Sequence, residues 1–122
     1  MTKAAAIQAF WASFGMAAYE ESTVPDDAAF PYITYELITD AFGGTAVMSA
    51  SVWYRSTSWV EANAKAEEIG GAIGFAGKII HADDGYIWIQ RGTPFAQSMG
   101  DPEDDMIRRK VLSITAAYYT PK

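Results

Sequence analysis

The sequence contains no cysteine and only one histidine, His81, in 122 residues. Without thiols there is no disulfide, no thiolate nucleophile and no thiolate metal site, and the chain suits a reducing compartment. His81 stands beside Ile79 and Ile80 in a predicted strand, and nothing marks a nucleophile for it to activate. It reads as an ordinary strand residue, so no catalytic residue is expected. Positive charge is also scarce: 9 Lys and Arg face 15 Asp and Glu, a net charge of −6. Such a chain repels phosphate overall and lacks the usual drive to bind a nucleic-acid backbone. Apolar runs are short, far from the ~20 residues that cross a bilayer, so no membrane role is expected. The opening Met1-Thr2-Lys3 and its alanines do not make a signal peptide, because Gln8 breaks the run and Trp11 and Phe14 continue a helical stripe.

Two further motifs fail on spacing. Asp26-Asp27, Asp83-Asp84 and Asp101 to Asp105 are acidic, but none alternates its oxygen ligands as a calcium loop does, and each reads as a solvated turn. Gly70, Gly71, Gly74 and Gly77 follow a helix instead of leading a strand into one, so they do not form a phosphate cradle. Neither a metal nor a cofactor is expected.

What is present is core-forming material. Half the residues are hydrophobic, with four Trp, seven Tyr and six Phe, enough for one compact domain over residues 1–122. Thr2 caps a predicted helix of roughly residues 3–19, whose Ile7, Phe10, Trp11, Phe14 and Ala18 share a face. A connector with Pro25 and Pro31 follows. Residues 32–39 alternate as a strand, with Ile33, Tyr35 and Leu37 on one side, and Gly43-Gly44 turns the chain into a second strand over 45–55. There Ala46, Met48, Ala50, Val52 and Tyr54 face one way. Ser58 and Glu61 are spaced for a capping box that starts a helix to about Ile73, with Ala62, Ala66, Ile69 and Ile73 as its buried stripe. Strands over 78–82 and 86–91 flank Asp83-Asp84-Gly85, expected as a type I turn with a left-handed glycine. A last strand over 107–119 faces Leu112, Ile114, Ala116 and Tyr118 inward.

This order predicts an α+β fold: a mainly antiparallel sheet of about five strands with two helices packed on one face. The opposite face carries Trp53 and Trp88, which makes it a candidate subunit interface. Residues 91–105 show no periodicity and read as a long loop, of the kind that serves a function or a partner. The loop holds Phe95, Asp101, Glu103 and Asp104 and runs into Arg108, Arg109 and Lys110. Two readings of this acidic and basic pair stay open, a self-contained salt-bridged surface and a head-to-tail contact between copies.

Six segments stand in a recognisable order: Val24-Pro25, Phe30-Pro31-Tyr32-Ile33-Thr34-Tyr35, Val52-Trp53-Tyr54-Arg55-Ser56, the helix after Trp59, residues 86–97 from Tyr86-Ile87-Trp88 to Phe95-Ala96-Gln97, and Asp104-Asp105-Met106-Ile107-Arg108-Arg109. Together they resemble the tail terminator, or tail completion, proteins of long-tailed siphophages that infect Gram-positive bacteria. The likeness spans nearly the whole chain and lies in the order and spacing of the pieces.

The resemblance implies a structural virion protein that forms a homo-oligomeric, hexameric ring and is no enzyme. The ring would cap the major tail tube protein, join it to the head-completion or stopper protein at the neck, and pass DNA through its lumen without specific binding. Assembly would take place in the host cytoplasm. Phe42, Gly43 and Gly44 at the hairpin tip are candidates for contact with tube or neck. Two alternatives are a head-closure or adaptor protein of the neck and a non-viral α+β ligand-binding domain. An enclosed apolar pocket in a stable monomer would favour the latter.

Overall fold

The computed structural model describes all residues, Met1 to Lys122. Two α-helices, α1 (Lys3–Ala12) and α2 (Val60–Ile73), accompany six strands: β1 (Ala17–Glu20), β2 (Tyr32–Tyr35), β3 (Thr45–Arg55), β4 (Lys78–Ala82), β5 (Gly85–Gly100) and β6 (Ile107–Tyr119). The strands form one sheet in the order β1-β2-β3-β6-β5-β4. All neighbours are antiparallel except β1 and β2.

The expected helix over 3–19 is shorter and its tail is a sixth strand. Thr2 caps it as expected, its hydroxyl accepting the Ala5 amide at 3.0 Å. Gly15 then takes a positive φ of 80°, a conformation open to glycine at little cost. The chain turns there, and residues 17–20 pair in parallel with β2. Ala18 is buried in either arrangement, which is why the helical stripe ran through it.

The predicted strands over 45–55 and 107–119 form with those bounds and run side by side along their whole length. Their inward residues Met48, Ala50, Val52, Leu112, Ile114, Ala116 and Tyr118 belong to one core cluster. Ile7, Phe10 and Trp11 of α1 and Ala62, Ala66, Ile69 and Ile73 of α2 belong to the same cluster, so both helices cover the same face of the sheet. Small residues on α2 let its backbone lie close to the strands, as their periodicity predicted.

Three local expectations change. The capping box does not form, because Ser58 Oγ accepts the Val60 amide at 3.1 Å and the N-cap residue is Trp59. At the β4–β5 turn the positive φ, 57°, falls on Asp84 and not on Gly85. Gly85 is needed for another reason: a Cβ there would lie 2.0 Å from the Tyr119 carbonyl oxygen.

The largest difference concerns residues 91–105, which are no loop over most of their length. β5 continues through them to Gly100, interrupted by a bulge between Arg91 and Ala96. From Arg91 to Ala96 β5 advances five positions while its partners move two, from Ile114 to Leu112. Three residues are therefore in excess. Because side chains alternate, an odd excess exchanges the faces, so odd-numbered residues meet the helices before the bulge and even-numbered ones after it. This reversal erased the periodicity from the sequence. Only residues 101–106 form the turn to β6.

Candidate interaction surfaces

The face of the sheet away from the helices has no covering layer. Its register places Tyr19, Tyr32, Trp53 and Arg109 across β1, β2, β3 and β6 at one end. Tyr32 stacks on Trp53 with ring centroids 6.2 Å apart, and Tyr19 meets Tyr32 edge-on at 6.0 Å. The Arg109 guanidinium lies 4.5 Å from the Trp53 ring centre and donates to Ser51 Oγ at 3.0 Å. Trp53 in turn donates Nε1–H to Thr34 Oγ1 at 2.9 Å. Phe42, Tyr86 and Tyr119 form a second aromatic group at the far end. Between them runs a strip of small residues on β3 and β6, in which Ser49 opposes Ser113, Ser51 opposes Val111 and Thr115 opposes the exposed Val47.

The expected interface residues divide between the two faces. Trp53, Trp88 and Arg109 lie on the open one. Trp88 donates Nε1–H to the Ala76 carbonyl at 3.0 Å, which fixes the α2–β4 connection. Arg108, next in sequence to Arg109, points the other way, as consecutive strand residues must. Its guanidinium lies 5.4 Å from the Trp59 ring centre and donates to the carbonyls of Thr57 and Asp105. Phe95 also belongs to the helix side, where its ring lies against Gly70 of α2; a Cβ on Gly70 would approach it to 3.1 Å.

Asp101, Glu103 and Asp104 share the β5–β6 turn. Asp101 Oδ1 accepts the Glu103 amide at 2.8 Å, and Asp104 accepts the Met106 amide at 2.9 Å while pairing with Arg55 at 3.3 Å. The Met106 amide and then the Arg55 charge hold the Asp104 carboxyl below its usual range. Within the chain neither Arg108 nor Arg109 reaches a carboxylate. Phe42 is exposed and rests on Tyr119, while Gly43 and Gly44 exchange backbone hydrogen bonds with Tyr118 at 2.7 and 2.9 Å. The expected hairpin tip is thus docked on the end of β6.

Two features escaped the sequence reading. Phe75, between Gly74 and Gly77 with positive φ at both, is 98% exposed. The largest concavity, about 580 Å³, is an open cleft between α2 and the bulged part of β5. Ala66, Gly70 and Gly71 line it from α2, Phe95 and Ala96 from β5, and Glu67, Arg91 and Lys110 supply charge. The run of glycines was the available signal for both, since small residues on a helix leave room for something else. His81 is exposed and opposite Tyr86 at the sheet edge. No three His, Asp or Glu side chains converge as metal ligands would, and no helix is long and apolar enough to cross a membrane.

The sequence matches no protein-family model and none of the curated proteins. The fold does have a counterpart among solved structures: a chain from the virion of a native gene transfer agent particle, with a TM-score of 0.60 and 22% identity. The likeness covers 93% of this chain and 95% of that one, so the two share a fold over nearly their whole lengths.

Proposed function

We propose that this protein is a structural subunit of a tailed, phage-like virion, and within it the tail terminator. The whole-length likeness in fold to a chain of a gene transfer agent virion carries this reading. In it the subunits form a ring, a hexamer by the family resemblance, that closes the tail tube and meets the head-completion complex. The uncovered sheet face supports an assembled state, because aromatic groups such as Trp53 with Tyr32, and Tyr86 with Tyr119, are the material of subunit contacts. In this reading the protein acts by fit and not by chemistry.

The test is removal of the protein from its particle, followed by electron microscopy. Filled heads without tails, together with tubes beyond their normal length, are the expected result. Tails of normal length attached to heads would rule the terminator out, and normal tubes that fail to attach would assign the protein to head closure.

A further inference from the structure

We infer that the cleft between α2 and β5 receives the acidic β5–β6 turn of a second copy of this chain, joining copies head to tail. This rests on the ring reading above and names its contact. Two cations face the cleft without acidic partners. Arg91 is exposed and takes part in none of the ion pairs, and Lys110 donates only to Ser98 Oγ, at 2.8 Å. Glu67 is the one acid on the rim. At the tip of the same hairpin, Glu103 and Asp105 are exposed and their carboxylates are in no ion pair. Asp101 and Asp104, in contrast, are used to shape the turn.

The apolar parts match as well as the charges. Exposed Pro102, beside Glu103, is a compact ring suited to the half-buried Phe95. Phe75 lines an adjoining hollow with Arg91 and Phe95 and offers the incoming turn a second apolar contact. An aromatic centre rimmed by charge is the usual make-up of an interface anchor. Arg91 and Lys110 are better placed for the role than Arg108 and Arg109, whose guanidinium groups already donate to carbonyls and a hydroxyl and lie over indole rings.

One chain cannot satisfy its own cleft. Four strand positions separate Ala96 from Gly100, about 13 Å at ~3.3 Å each, and pairing with Leu112 to Arg108 keeps that segment from folding back. Cleft and turn are different patches, so the contact is heterologous and continues from copy to copy, as a ring requires.

The test is sedimentation velocity of the full chain up to millimolar concentration at low salt, with circular dichroism to verify folding. Arg91→Glu with Lys110→Glu reverses the cleft, and Glu103→Lys with Asp105→Lys reverses the turn. Each pair should weaken self-association by about tenfold or more. Mixing the two variants, or placing all four changes in one chain, should restore it. A wild-type chain that stays monomeric throughout, or association that neither pair of changes alters, would overturn the inference. So would sulfate or an acidic peptide that protects Arg91 from modification in a chain whose association the reversals leave unchanged. Rings seen on virion tails carrying the reversed cleft would remove this contact and leave the terminator reading intact. Normal tails without the protein would remove that reading while the sedimentation result still decided whether copies join here.

Discussion

Arg109 is where charge and aromatic packing meet on the open face. Its guanidinium lies over Trp53 and reaches Ser51, so a positive charge is held flat against the sheet. Trp53→Ala removes the platform for Arg109 and Tyr32 together and leaves Thr34 without its indole donor. At this half-buried site we expect a loss of roughly 1–3 kcal/mol, measured by denaturant unfolding. A loss below about 0.5 kcal/mol would mean that the cluster is kept for a partner and not for the fold. Tyr118 gives a pH-dependent counterpart. It is fully buried, and burial, then the Asp40 charge, push its phenol up to about 12. The unfolded phenol ionises near 10, so stability is fully present below about pH 10 and falls as pH rises from there through about 12. Tyr118→Phe should flatten that fall in urea midpoints taken across the range, at the cost of the hydrogen bond to the Ile38 carbonyl. His81→Ala, at an exposed edge position, should leave both stability and particle assembly unchanged.

The bulge in β5 is the element on which the helix-side surface depends. Removing residues 92–94 takes out the three surplus positions, so Phe95 would fall opposite Ser113 and the ladder would run unbroken from Arg91 to Gly100. The chain should still fold, but Phe95 would leave Gly70 and point to the open face. The expected cost is about 1–3 kcal/mol, the worth of burying one large side chain. Phe95→Ala should cost a similar amount, and a native-like melting temperature in the deletion variant would show that the bulge does not hold Phe95 on α2. The same element shows what a sequence can carry. β3 and β6 were legible to the residue because their side chains alternate without interruption, with an unbroken apolar row against the helices and a mixed row of polar, small and aromatic residues on the open side. β5 was not, because alternation is read by parity and an odd insertion reverses parity midway. β1 was hidden differently: Phe14 and Ala18 fit a helical spacing, and only the backbone of Gly15 turns the chain. The interface candidates were legible as types, a Trp here and an acidic turn there, but their division between two faces required the register. Phe75 and the cleft were illegible, since a glycine run says that space exists without saying what fills it.

At the scale of the whole molecule, charge and shape bear on how such a ring treats DNA. The net charge is −6, so the molecule as a whole repels a phosphate backbone. Isolated protein should show little affinity for duplex DNA, and steep salt-dependent binding in a fluorescence assay would contradict this. Weak binding is what a conduit needs, because each phosphate held in a lumen is a contact that must be broken as DNA passes. The ends of the subunit matter more. A growing tube presents unpaired subunit surfaces, and addition continues until something matches the tube on one side without presenting another tube surface on the other. This fold offers two unlike ends, the docked Phe42 to Gly44 segment beside Tyr119 and the acidic β5–β6 turn beside Arg55. If the first end meets the tube, Phe42→Asp should leave the proposed ring assembled and able to bind the head-completion protein, yet tubes should overrun their length, the same outcome expected on removal of the protein. If tubes stop normally but heads stay detached, Phe42 lies on the neck side and the assignment of the two ends must be exchanged. If both length and attachment are normal, this end contacts neither partner, and the tube must be recognised elsewhere on the ring.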